Sequence, residues 1–285
     1  MFTTQPVLTQ YDVRLSRLPE AFDGFSIALI SDLHGQVAQS LLEQLRACRP
    51  ELIAVTGDLI DSGKPKTAAA LSFLREALAI APCFFVPGNH ESRLPAYPRI
   101  REGLQQLGMT VLEDRAVSFH RGSSEIWLQG LADPGFPGGE DRMERALAAM
   151  CGNDRFRLLL SHRPEYFPMY ARYGVDLTLS GHAHGGQIRL PGVNGLFAPG
   201  QGFFPKWAGG VYQEANSTLI VSRGLSHCPP LRIGNPTELV SITLHIWRPT
   251  GAFWICSVWH FSFRKKGLTF PAISCIIQRV PAMEA

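Results

Sequence analysis

Short apolar runs alternate with amphipathic segments along the first half of the chain. Residues 25–30 (Phe-Ser-Ile-Ala-Leu-Ile) read as a buried strand ending at Ser31-Asp32. Residues 40–48 then place Leu41, Leu42 and Leu45 at helical spacing. A second strand over 52–55 ends at Thr56-Gly57-Asp58, an Ala- and Leu-rich helix is predicted over 67–80, and a third strand over 83–86 stops at Pro87-Gly88. The second half keeps strands (126–128, 157–160, 177–179, 218–221, 239–244) but predicts only two helices, 140–150 and 164–173. Strands interleaved with helices imply an α/β protein with a parallel or mixed sheet, and two sheets face to face with helices outside would fit the pattern. Residues 191–210 form a Gly/Pro/aromatic loop holding Phe197, Phe203, Phe204, Lys206 and Trp207. No internal repeat or low-complexity tract is evident.

The length of 285 residues suits one large α/β domain or two small ones. A net charge of +3 is too weak to argue for nucleic acid, and no basic aromatic groove is visible, so no nucleic-acid partner is expected. Six scattered cysteines with no C-x-x-C pair read as reduced thiols rather than a disulfide frame or zinc ribbon. No secretory signal is visible, and no window reaches the roughly 18 apolar residues of a spanning helix. The expected location is cytoplasmic, with peripheral contact at the inner face of the membrane as an extension of that reading.

The chemistry lies where the apolar runs stop. Five successive runs end in metal-ligand residue types: Asp32-Leu33-His34, Gly57-Asp58-Leu59-Ile60-Asp61, Gly88-Asn89-His90-Glu91, Ser161-His162, and Gly181-His182-Ala183-His184. Each alone has an ordinary reading. Asp at a strand end often caps a helix, Asn beside Gly often makes a turn, and a lone His in an apolar context is often a core residue with one hydrogen bond. Capping alone would not favour His and Asn at five consecutive strand ends, which is where α/β sheets gather polar groups. His182 and His184, two apart on an extended segment, share a face.

The series D-x-H, G-D-x-x-D, G-N-H-E, a lone His and G-H-x-H resembles the calcineurin-like metallophosphoesterase superfamily over about residues 5–245. The resemblance implies a double β-sheet sandwich flanked by helices and a site for two divalent metal ions. Asp32, His34, Asp58 and His184 would bind one ion, and Asp58, Asn89, His162 and His182 the other, with Asp58 bridging. His90 resembles the residue that contacts the phosphate and protonates the leaving group; its alternative is support of a ligand. Asp61 fits a supporting or capping role better than ligation. Two cations roughly 3.5–4 Å apart can hold the attacking and leaving oxygens of an in-line phosphoryl displacement, and a water on such an ion ionises near neutral pH. Nitrogen and oxygen ligands without thiolate suit Mn²⁺, Fe or Zn²⁺ better than Ca²⁺ but do not choose among the three; Mn²⁺ is the expected ion, with Fe or Zn²⁺ as alternatives.

Leu159-Leu160-Ser161-His162-Arg163-Pro164, Gly185-Gly186-Gln187 and Gly234-Asn235-Pro236-Thr237-Glu238-Leu239 resemble a bacterial branch of membrane-associated phosphodiesterases that includes UDP-2,3-diacylglucosamine pyrophosphatases. That resemblance implies a phosphodiester or pyrophosphate substrate, with a lipid-linked one as a candidate. Members of that branch often begin with an anchor, so this chain is either cytoplasmic or truncated at its start. The expected organisation is a catalytic domain over 1–245 and an aromatic/basic tail over 246–285 with Trp247, Trp254, Trp259 and Arg264-Lys265-Lys266. The tail is either a loosely packed extension or a segment for the membrane interface. The aromatic loop has two readings as well, a local core or an apolar wall beside the metals. Alternatives at the level of activity are a soluble nucleotide phosphodiesterase, a nuclease, and a non-catalytic metal-binding scaffold.

Overall fold

A computed structural model describes residues 5–63, 65–152, 154–190, 192, 194–227, 232–248, 254–261 and 272–279, the last two segments as backbone only. The strands of the first half are β1 (Val7–Leu15), β2 (Phe25–Ile30), β3 (Leu52–Thr56), β4 (Cys83–Val86) and β5 (Thr110–Val111). Between them lie helices α1 (Leu41–Cys48), α2 (Thr67–Leu78), α3 (Asn89–Ser92) and α4 (Tyr97–Gln106). The second half carries β6 (Arg115–Arg121), β7 (Ser124–Leu131), α5 (Gly139–Ala149), β8 (Arg157–Ser161), α6 (Phe167–Arg172) and β9 (Leu177–Ser180). Then follow β10 (Phe197–Ala198), β11 (Gly202–Phe203), β12 (Gly210–Glu214), β13 (Ser217–Val221) and β14 (Glu238–Ile246).

Two six-stranded sheets form, ordered β1-β14-β2-β3-β4-β5 and β12-β13-β9-β8-β7-β6. β2, β3, β4 and β5 run parallel in the first, as do β13, β9, β8 and β7 in the second. β14 returns antiparallel to β2 and pairs in parallel with β1, which binds the segment before β2 into the same sheet.

Alternate residues of each central strand face different layers, as the two-residue period of a strand requires. Phe25, Ile27 and Leu29 meet Leu158, Leu160, Leu177 and Leu179 in a core between the sheets. Ala28, Ile30, Ile53 and Val55 face outward onto Leu41, Leu45, Phe73 and Leu74 of α1 and α2. On the other side Leu159, Leu219 and Val221 pack on Met143 and Leu147 of α5 and Phe167 and Tyr170 of α6. The result is the α/β double-sheet sandwich with helices outside. Strands buried on both faces lack polar alternation, which is why they read as continuous apolar runs in sequence.

Several elements differ from the sequence reading. Predicted helix 164–173 is a single 3₁₀ turn at Pro164–Tyr166 followed by α6. The edge strands β6 and β12, which keep many half-exposed residues, carried no clear apolar run. The loop 191–210 contains the small β10-β11 pair. In the tail, β15 (Trp254–Phe261) and β16 (Ala272–Arg279) pair as an antiparallel hairpin. The aromatic and basic side chains predicted to act there lie outside the described residues, except Trp247, which is exposed. No helix among the described residues is long and apolar enough to cross a membrane.

Candidate metal centre

The ends of β2, β3 and β4 in one sheet and of β8 and β9 in the other converge, bringing all seven ligand-type residues into one buried cluster. Asp32, His34, Asp58, Asn89, His162, His182 and His184 are each at most 6% exposed although polar. Ligand atoms of Asp32, His34, Asp58 and His184 lie within 4.8 Å of one another, as do those of Asp58, His162 and His182, so Asp58 belongs to both groups. Its Oδ2 is 3.3 Å from Nε2 of His162 and 3.8 Å from Nε2 of His34. Asn89 Oδ1 is 3.2 Å from Nε2 of His162, placing it beside the second group.

The backbone is strained where these residues sit. Asp32, His34, Asp58, His182 and His184 all adopt left-handed conformations, with φ between 46° and 65°. Such conformations are uncommon outside glycine and persist where the surroundings over-determine them. Gly57 (φ 85°) precedes Asp58, and a Cβ there would lie 2.7 Å from both the Gly88 nitrogen and His162 Nδ1. The loops of β3 and β4 therefore touch without an intervening side chain.

Hydrogen bonds fix which atoms face inward. Nδ1 of His162 donates to the Thr56 carbonyl at 2.7 Å, which leaves its Nε2 facing Asp58 and His182. Asp32 Oδ2 accepts from the Ser31 hydroxyl at 2.7 Å and from the His182 amide at 3.0 Å. Asp58 Oδ1 accepts the His90 amide at 2.8 Å. His90 Nδ1 accepts the Ser62 amide at 3.0 Å, so the neutral ring carries its proton on Nε2, which lies 3.9 Å from Asp58 Oδ2. Asp61 Oδ2 is 3.6 Å from Nδ1 of His34, while its Oδ1 accepts the Gly63 amide.

Burial acts on Asp58, His162, His34, His182 and His184, and neighbouring charges decide whether it prevails. It would raise the Asp58 carboxyl, but His162, His34 and His90 overcome it and hold Asp58 well below the usual carboxylate range. Burial opposes the charge on His162, yet Asp58 lifts it to about 10. Burial lowers His34; burial with His162 and Arg163 nearby holds His182 well below its ordinary value; and burial outweighs Asp32 to bring His184 to about 4. Three imidazoles are thus neutral, the form a cation needs, and at the fourth a cation would displace a proton.

These residues fit divalent cations. Both ring nitrogens of His34 are buried without a hydrogen-bond partner among the described residues, a costly arrangement unless something else engages them. The donor set is imidazole, carboxylate and amide oxygen, which suits first-row divalent ions.

Sequence reasoning missed the supports. Buried Glu91 accepts amides of Asp58 (2.9 Å), Gly88 (2.8 Å) and Ile60 (3.1 Å), lacing the β3 and β4 loops together. Its place in the fourth position of Gly88-Asn89-His90-Glu91 was the available signal. Arg163 lies 2.9 Å from Nε2 of His182 and donates to Asp133 at 2.6 Å. Asn235 donates to the His184 carbonyl at 2.7 Å from 51 residues away. A cleft of about 390 Å³ opens on the cluster, lined by Asp58, Asn89, His90, His182 and His184 together with Arg93, Arg163, Gln187, Pro199 and Gly200. In the aromatic loop, Phe203 (72%) and Phe204 (70%) are exposed, whereas half-buried Trp207 packs edge-on to Phe167.

Fold and site together define a metal-dependent phosphoesterase, and comparison with known proteins agrees. Residues 25–186 match the calcineurin-like phosphoesterase family, and the chain belongs to it. It is 30% identical over 254 residues to the uncharacterized metallophosphoesterase YkuE of Bacillus subtilis, spanning 83% of this chain and 84% of that one. It is 28% identical over 229 residues to the phosphodiesterase YaeI of Escherichia coli, covering 77% and 82% of the two chains. Its fold is similar to that of TT1561 of Thermus thermophilus, at a TM-score of 0.50 and 15% identity over 71% of this chain and 91% of that one.

Proposed function

We propose that the protein hydrolyses phosphodiesters or phosphoanhydrides at a two-cation centre. The observation that carries this reading is Asp58, shared between two buried ligand groups. Asp32, His34, Asp58 and His184 would hold one cation, and Asp58, Asn89, His162 and His182 the other. Bound there, the pair would supply Lewis acidity toward the phosphoryl group and acidify water. The chain's own residues then orient and exclude. Asp58 is held by the His90 amide at one oxygen, leaving the other directed into the cluster. The left-handed turns at Asp32, Asp58 and His184 fix ligand directions from rigid strand ends. His90, with its Nδ1 engaged by Ser62, presents Nε2–H toward the cleft and serves as donor to the departing oxygen.

The finer reading is a lipid-linked diester met at a membrane surface, as the likeness to UDP-2,3-diacylglucosamine pyrophosphatases suggests. Phe203 and Phe204 support it, since they are exposed in the loop whose Pro199 and Gly200 line the cleft. The sequence between Asp176 and Glu214 has no carboxylate side chain, which suits an anionic surface. YaeI, named a phosphodiesterase, supports a diester substrate. The test is a hydrolysis panel of protein reconstituted with Mn²⁺, Fe²⁺ or Zn²⁺, comparing monoesters with soluble and lipid-linked diesters and diphosphates. Turnover of diesters or diphosphates above monoesters is expected; turnover of none of them refutes the reading.

A further inference from the structure

The cleft's two guanidiniums differ in their commitments. Arg163 Nε donates to Asp133 at 2.6 Å and Nη1 to Glu165 at 3.3 Å, so carboxylates already answer its charge. Arg93 is exposed, lines the same cleft, and makes no side-chain hydrogen bond or ion pair with any described residue. It follows His90 by three positions, and its amide donates to the His90 carbonyl at 3.2 Å. Residues three apart on a helical turn share a face, about 5–6 Å apart at Cβ. Arg93 therefore sits one step along the cleft from the group set to meet the scissile phosphate. The cleft, at about 390 Å³, falls among volumes of roughly 300–1,000 Å³ that hold whole ligands.

We propose that Arg93 is a specificity-determining residue that binds a second phosphoryl group beyond the scissile phosphorus, favouring diphosphate linkages over simple diesters. A guanidinium offers paired donors to phosphoryl oxygens, and one with no partner among the described residues gives up no bond to them in doing so. The inference rests on the two-cation reading above and names the substrate class of that site.

The test is binding, read without turnover. Metal-loaded protein is titrated calorimetrically with methylphosphonate and with methylenediphosphonate, and metal content is assayed before and after. Arg93→Gln is expected to weaken methylenediphosphonate binding roughly tenfold, the worth of one charge-assisted hydrogen bond at a partly exposed site, and methylphosphonate binding several-fold less. Arg99→Gln, on the exposed side of α4, controls for loss of one positive charge and should leave both affinities unchanged. Equal losses for the two ligands, or none, at unchanged metal content and melting temperature overturn the assignment of Arg93. Failure of the wild-type metal-loaded protein to hydrolyse bis(p-nitrophenyl) phosphate or any diphosphate overturns instead the reading on which it rests.

Discussion

Replacing Glu91 with Gln probes the scaffold of the candidate centre without touching a proposed ligand. Glu91 Oε2 accepts two amides, from Asp58 and Gly88, and Oε1 accepts a third, from Ile60. An amide has one acceptor oxygen. Its best placement satisfies the Asp58 and Gly88 amides and turns the NH₂ group onto the Ile60 N–H. One buried donor then loses its partner, at a cost of about 1–3 kcal/mol. Removing a carboxylate from beside Asp58 offsets part of this. Burial, with Asp58 adding to it, raises the Glu91 carboxyl to about 7 against an ordinary 4.5. A carboxyl raised on folding contributes stability that is fully present below its unfolded value and is lost as pH rises through its folded value. The deficit of Glu91→Gln relative to wild type should therefore be largest below about pH 4.5 and shrink as pH rises through about 7. The assay is urea unfolding of metal-free protein in chelator across that range. A pH-independent difference, or one that grows with pH, would refute the reasoning.

Other perturbations follow from the same geometry. His90→Ala should lower kcat by roughly 10²–10⁴-fold with near-normal metal content, and the loss should shrink for nitrophenyl leaving groups; equal losses for good and poor leaving groups would exclude proton donation. Arg223 is buried against Glu238, which also accepts the Thr9 hydroxyl at 2.6 Å. Arg223→Met leaves that carboxylate unpaired and should cost about 3–5 kcal/mol in denaturant unfolding, whereas a loss under 1 kcal/mol would show the pair to be dispensable. The double change Phe203→Ser with Phe204→Ser should reduce sedimentation with anionic phosphatidylglycerol vesicles while hydrolysis of a soluble ester persists; unaltered sedimentation would remove these rings from any membrane contact.

The candidate ligands stood out because each closes an apolar run. A strand buried on both faces, such as Leu158-Leu159-Leu160, announces its own end, and the residue that follows is then conspicuous. The two-residue spacing of His182 and His184 suggested one face of an extended segment, whereas the chain turns through left-handed conformations there and gives one histidine to each ligand group. The supports were not legible, because their meaning depends on distant partners: Arg163 on Asp133, thirty residues earlier, and Asn235 on the His184 carbonyl. Nor could the sequence divide the aromatic loop, where Phe203 and Phe204 face solvent while Trp207 turns back toward Phe167. The edge strands β6 and β12 escaped because an edge facing water has no need of an apolar run.

The central claim is that Asp58 joins two cation sites, and metal titration tests it most directly. Metal-free protein titrated with Mn²⁺ should take up about two equivalents, with spin coupling between the ions visible by electron paramagnetic resonance. Asp58→Ala should abolish that coupling and leave at most one weakly held ion. Uptake of a single equivalent by the wild type, or two uncoupled ions whose binding is indifferent to loss of Asp58, would contradict the account.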